Sequence, residues 1–258
     1  MKKLELKEKL KQNKPLLGTW SLIPSFDVFD ILSMSGFDFI IACMEHGPFN
    51  IETIHNFVTM LDKRDITPIV RVPKLDESYV LRILETGVSA IQVSHISTVE
   101  DARKMVKYSK YYPIGNRGLS PVSRAAEYEY GGEEIHTKIQ NDRISIIINV
   151  EGKEGLNNLP EIAEIDDIDV IFLGIYDISQ SLELPGQIYH NKVQEAIEKA
   201  ADIIIKKGKI AGCFAKTFED VSYLNNIGVK YITYQADAPI IKNSFSDIVK
   251  KLKITIGE

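Results

Sequence analysis

Residues 144–151, ISIIINVE, and 169–177, DVIFLGIYD, are the two stretches on which the fold turns. Each is a run of β-branched and aliphatic residues that ends on a carboxylate. Neither alternates strictly between apolar and polar residues. A strand with one wet face would alternate; a continuous apolar run is what a parallel strand covered on both faces requires.

The same pattern recurs along the chain. Strands are expected at 16–20, 37–43, 68–72, 90–94, 144–150, 169–174, 210–214 and 230–235. Helical patterns fall between them at 26–35, 50–63, 76–86, 97–109, 191–207, 217–227 and 238–253. Asp76, Ser97 and Thr217 stand at N-cap positions. Gly36, Gly87, Gly208 and Gly228 each follow a helix and precede a strand, where a left-handed C-cap is wanted. Eight strand–helix units give an α/β fold, a (β/α)8 TIM barrel in one domain spanning 1–258. The competing doubly wound open sheet lacks a Gly-rich turn after the first strand. One interval breaks the rhythm: 110–143 is polar and rich in Gly, Tyr and Arg, and is expected to be a long loop over the barrel mouth.

Composition excludes several classes. The 258 residues carry a net charge of -5 with mixed signs, which gives no reason to expect nucleic acid. The N-terminal MKKLELKEKLKQNK reads as a short helix over 1–14, with Leu4, Leu6 and Leu10 against the barrel. It lacks the apolar segment of a signal peptide, and no run approaches the ~20 residues of a membrane span. Two cysteines argue against a disulfide scaffold. A soluble cytoplasmic protein is expected.

The chemistry concentrates at four strand ends. Glu151 and Asp177 end consecutive strands about 4.8 Å apart, so their side chains can converge on one cation. Two carboxylates with water and substrate oxygens suit Mg²⁺ or Mn²⁺; the alternative is that each caps a helix. Arg71 lies inside the apolar strand PIVRVP, where a guanidinium must face a polar site or an ion pair. His46 follows the second strand as a general-base candidate, or as a packed histidine. Of the other histidines only His95, after the fourth strand, faces the mouth. Lys74 and Lys216 offer a Schiff-base alternative but fall beyond the strand ends. Cys43 and Cys213 read as small buried hydrophobes, Cys43 close to the site. The turn Gly115-Asn116-Arg117-Gly118 could face an anion with its backbone N–H groups, a weak signal.

From about 16 to 250 the chain resembles the HpcH/HpaI aldolases, metal-dependent class II pyruvate aldolases acting on 2-keto-3-deoxy acids. The motifs that carry the likeness are LGTW, GFDF followed by EHGP, the V-R-V-P strand, YYPIGNRG, the N-V-E strand end, LGIYDIS and LPGQ. The resemblance implies that Glu151 and Asp177 hold a divalent metal (Mg²⁺ or Mn²⁺, Co²⁺ also admitted) that binds pyruvate's carboxylate and keto oxygen. It implies that Arg71 stabilises the enolate, and that His46, paired with Glu85, handles the hydroxyl proton. Glu45, Asn149, Gly174, Ile175 and Tyr176 would surround the substrate. It further implies a homo-oligomer, a hexamer built as a trimer of dimers, exchanging the helix at 238–253. The partners would be a small keto acid and a small, polar, oxygenated aldehyde. Departures cluster at one mouth. Cys43 replaces an acid, Asn149 a glutamine, Ser94-His95 a proline segment, Ile175-Tyr176 a Pro-Ala pair, and Tyr234-Gln235 a Val-Gly pair. Two other readings remain: a citrate-lyase-like CoA-ester lyase, and a keto-acid-binding paralogue without turnover.

Overall fold

The computed structural model describes residues 5–128 and 132–257. The strands are β1 (Leu16–Ser21), β2 (Phe39–Cys43), β3 (Thr67–Val72), β4 (Ala90–Val93), β5 (Ser145–Val150), β6 (Val170–Leu173), β7 (Ile210–Ala215) and β8 (Tyr231–Ala236). All pair in parallel, each with its sequence neighbour, and β8 closes on β1. The helices are α1 (Leu6–Leu10), α2 (Phe26–Ser33), α3 (Ile51–Leu61), α4 (Glu77–Leu84), α5 (Val99–Ser109) and α6 (Glu133–Arg143). They continue with α7 (Lys153–Ile162), α8 (Ile175–Ser181), α9 (Asn191–Lys206), α10 (Phe218–Asn226) and α11 (Asp237–Ile256). Every expected strand is present to within two residues at either end. Asp76 and Thr217 cap α4 and α10 as expected, whereas α5 is capped by Thr98 in place of Ser97. All four expected C-cap glycines hold positive φ.

Strand residues divide between two apolar layers. One set packs outward under the helices; the other fills the barrel. Inside, Phe39 stacks on Tyr231 with centroids 4.2 Å apart, and Phe172 meets both Tyr231 and Trp20 edge-on. Two glycines make room for these rings. A Cβ on Gly18 would lie 2.1 Å from the Phe39 ring, and one on Gly212 would lie 2.9 Å from Tyr231. Both rings are locked by stacking, so they have nowhere to go. Gly18→Ala is therefore expected to lower stability by about 1–3 kcal/mol, the usual cost of overpacking. Chemical denaturation checks this; unchanged stability would refute the packing account. At the base, Leu6 and Leu10 of α1 close the barrel, and Lys9 donates to the Asp38 carbonyl. Leu4 lies outside the described residues.

The 110–143 segment departs from expectation in two ways. It is not wholly a loop, because residues 133–143 form α6. Nor does it stand over the mouth. It follows α5, and a helix that follows a strand returns the chain to the N-terminal face of the barrel. There Lys110 Nζ donates to the Asn141 and Ile144 carbonyls, and Arg124 pairs with Asp62 just beyond α3. Residues 129–131 of the segment lie outside the described residues. A helix not expected from sequence, α7, links β5 to β6 and carries Pro160 within it. Among the described residues no helix is long and apolar enough to cross a membrane.

Candidate active site

The C-terminal ends of the strands surround a cavity of about 390 Å³. His46, Arg71, Glu151 and Asp177 all line it, together with Gly174, Ile175 and Tyr176. Trp20, Phe172 and Phe214 supply aromatic lining to the same cavity.

Glu151 lies just past β5 with its side chain 6% exposed. A buried carboxylate must be compensated, and this one accepts from Asn149 Nδ2 at 2.7 Å on Oε1 and from the His95 N–H at 3.0 Å on Oε2. The chain of partners continues into the core. Gln92 Nε2 donates to Asn149 Oδ1 at 2.6 Å, and the Tyr231 hydroxyl donates to Gln92 Oε1 at 3.3 Å. Asn149 is fully buried, so it supports Glu151 and does not line the cavity. Gly174 clears the other side: a Cβ there would approach Glu151 Cγ to 2.5 Å and Oε1 to 3.0 Å.

Neither carboxylate is a helix cap. Gly152 occupies the N-cap of α7 and Gly174 that of α8. Asp177 sits in the first turn of α8, exposed, with no hydrogen-bond or ion-pair partner among the described residues. A buried carboxylate and an unpartnered one facing the same cavity form a donor set of hard oxygens, which fits Mg²⁺ or Mn²⁺. Among the described residues no third His, Cys, Asp or Glu completes a cluster of metal-ligating side chains. Substrate and water oxygens would have to supply the remaining positions.

Arg71 is 7% exposed. Its guanidinium lies 4.7 Å from the Trp20 ring centroid, while Nη2 donates to Cys43 Sγ at 3.0 Å and pairs with Glu45 Oε2 at 3.2 Å. Its Nε is buried without a partner. The arginine is thus both a structural ion pair and a cavity residue with a spare donor. Cys43 therefore does more than fill space, since its sulfur also accepts from the His46 N–H at 3.3 Å. Cys213 is an ordinary core thiol, pushed up to about 12 by burial. Glu45 does not line the cavity. Burial pushes its carboxyl up, but a hydrogen bond from the Ser94 hydroxyl, electrostatic attraction to Arg71 and His46, and a hydrogen bond with His95 outweigh this and hold it below the ordinary carboxylate value.

His46 is exposed at the cavity edge, and its ring makes no hydrogen bond among the described residues. It is not a packed histidine. Its expected partner Glu85 is elsewhere: Glu85 caps the far end of α4 and pairs with Arg117 at 2.7 Å. An eight-residue helix spans about 12 Å, so Glu85 lies at the opposite face of its own barrel. Arg117 also stacks over Tyr111 there, and the 115–118 turn belongs to that face as well. Lys74 is 66% exposed and paired with Asp76, and neither Lys74 nor Lys216 lines the main cavity, which leaves the Schiff-base reading without support.

Sequence reasoning underrated His95. Its Nδ1 lies 2.9 Å from Glu151 Oε2 and its Nε2 3.1 Å from Glu45 Oε1. Its position directly after β4 was the available signal.

The family described as HpcH/HpaI aldolase/citrate lyase matches residues 17–228. The hydroxypyruvate/pyruvate aldolase of Roseobacter denitrificans is 29% identical over 96% of this chain and 96% of its own length. The 2-keto-3-deoxy-L-rhamnonate aldolase of Klebsiella pneumoniae is 32% identical over 81% of this chain and 78% of its own. Among solved structures, the citrate synthase SbnG superposes with a TM-score of 0.90 at 26% identity, covering 98% of this chain and 99% of that one.

Proposed function

This chain belongs to the HpcH/HpaI aldolase/citrate lyase family, and we propose that it is a divalent-metal-dependent carbon–carbon lyase that cleaves or forms 4-hydroxy-2-oxo acids through a pyruvate enolate. The observation that carries this reading is one cavity lined by His46, Arg71, Glu151 and Asp177. It is supported by the aldolase activities named for the relatives.

Glu151 and Asp177 would hold the cation, which supplies Lewis-acid polarisation of the keto oxygen when bound. In cleavage His46 accepts the C4 hydroxyl proton. The C3–C4 bond then breaks, the aldehyde leaves, and the electron pair passes to the keto acid as an enolate. Arg71, which lines the cavity, offers positive charge where negative charge develops on the enolate oxygen. Trp20 packs against the guanidinium, 4.7 Å from ring centroid to Cζ. The direct test is exchange of pyruvate methyl protons with deuterated water, followed by NMR with and without Mn²⁺. Metal-dependent exchange is expected even when no aldehyde is supplied. A chain that merely binds keto acids would show none.

A second reading, a CoA-ester lyase or synthase, is favoured by the likeness to SbnG and by an exposed aromatic rim. Phe218 stacks on Tyr234 at 5.3 Å, and Tyr176 meets Phe214 at 5.7 Å. Release of free CoA from acetyl-CoA in the presence of a 2-oxo acid would establish it.

α11 leaves the barrel after its first turn with Ile241, Phe245, Ile248 and Leu252 exposed along one face. We read it as the helix exchanged between subunits of a homo-oligomer, the hexamer implied by the family resemblance, working in the cytoplasm.

A further inference from the structure

His95 stands at φ +58, in the left-handed region, although it is not a glycine. Such a conformation costs on the order of 1–3 kcal/mol and persists only where the surroundings enforce it. Here it directs three polar groups at two carboxylates. The backbone N–H and Nδ1 both reach Glu151 Oε2, at 3.0 and 2.9 Å, and Nε2 reaches Glu45 Oε1 at 3.1 Å. The preceding Ser94 hydroxyl donates to the other oxygen of Glu45, and that oxygen lies 3.2 Å from Arg71 Nη2.

Among the described residues the imidazole is the one side chain that contacts both Glu45 and Glu151. On one side stands Glu151, anchored to the barrel core through Asn149. On the other stands the Glu45–Arg71 pair, stacked on Trp20. Without the ring, Glu45 would keep only Ser94 and Arg71, both on Oε2, among the described residues, and Glu151 Oε2 would keep only the His95 N–H. Glu151 would then be held by Asn149 Nδ2 and the His95 N–H alone among the described residues, one contact fewer on Oε2. The ring itself does not line the main cavity, so it is not placed to touch substrate.

We propose that His95 is a positioning residue: by bridging Glu45 and Glu151 it holds Glu151 in the orientation that binds the divalent cation, and keeps Arg71 in register with it. This rests on the aldolase reading above. Groups that orient a metal-ligating side chain typically contribute 10- to 100-fold in metal affinity.

The test uses Mn²⁺ itself as the probe, with free ion followed by EPR during titration of the full-length chain. Asparagine tolerates left-handed backbone but is too short to span both carboxylates. His95→Asn is expected to weaken Mn²⁺ binding by about 10- to 100-fold, with an unchanged circular dichroism spectrum. His95→Gln, which reaches further and keeps an amide donor, is expected to recover part of that loss, and it serves equally should the asparagine variant fail to fold. Wild-type Mn²⁺ affinity in either folded variant overturns the assignment and leaves the aldolase reading intact. Failure of the wild-type chain to bind Mn²⁺ overturns both.

Discussion

Glu151→Gln should reduce pyruvate methyl exchange and retro-aldol cleavage by at least about 10³-fold, because several kcal/mol of charge stabilisation is forfeited and each 1.36 kcal/mol is tenfold in rate. The substitution is nearly isosteric, so Gly174 still clears the side chain. The amide has only one oxygen, so only one of the two donors, Asn149 Nδ2 or the His95 N–H, keeps its acceptor. The amide nitrogen must then face a donor. Some loss of stability is expected as well, of the size of one buried unsatisfied group, about 1–3 kcal/mol. Activity and stability can be separated by raising Mn²⁺. A defect of cation binding is relieved in part at high metal, whereas misfolding is not. Full activity at ordinary metal concentration would remove Glu151 from the mechanism.

Arg71→Lys is expected to lower kcat by about 10²- to 10³-fold, the effect of losing one preorganised donor at a developing oxyanion. Lysine keeps the charge but loses the planar fork. Three features of the site depend on that fork. The guanidinium stacks on Trp20, one nitrogen serves both Cys43 and Glu45, and Nε remains buried and free. An ammonium could keep the pairing with Glu45 but could not at once lie flat on the indole and offer an in-plane donor to the substrate. The loss should therefore fall on kcat more than on pyruvate KM. A variant with wild-type kcat would show that Arg71 is only a structural partner of Glu45.

Much of the site was legible because a parallel barrel converts strand ends into neighbours. Arg71, Glu151 and Asp177 needed only the ends of β3, β5 and β6 to be placed on one cavity. His46 needed only β2. Asp177 was ambiguous as a cap until the structure placed Gly174 at the N-cap of α8. Two of the misreadings share one cause. Glu85 and the 110–143 segment both follow a helix, and the helix carries the chain back to the other face of the barrel. Glu85 therefore meets Arg117 and not His46 of its own chain, and the Tyr- and Arg-rich segment packs at the base. Helix α7 was missed because Gly, two Asn and Pro160 weaken its pattern, while Leu156, Leu159 and Ile162 pack against the barrel and hold it. Here tertiary burial overrides local propensity.

By itself the amino-acid sequence determined the eight-fold alternation, the near-continuous apolar strands, most helix caps and the identity of the groups at the mouth. These are local properties, set by side-chain size, branching and periodicity within a few residues. Only the closed barrel decided which of those groups touch. Cys43, Arg71, His95 and Glu151 lie in four different strand–helix units, yet ring closure and register bring them into one continuous set of polar contacts with Glu45. The left-handed turn at His95 and the burial of Asn149 behind Glu151 likewise arise from the way strands meet. No short stretch of sequence encodes them, because the energy that holds them comes from partners tens of residues away.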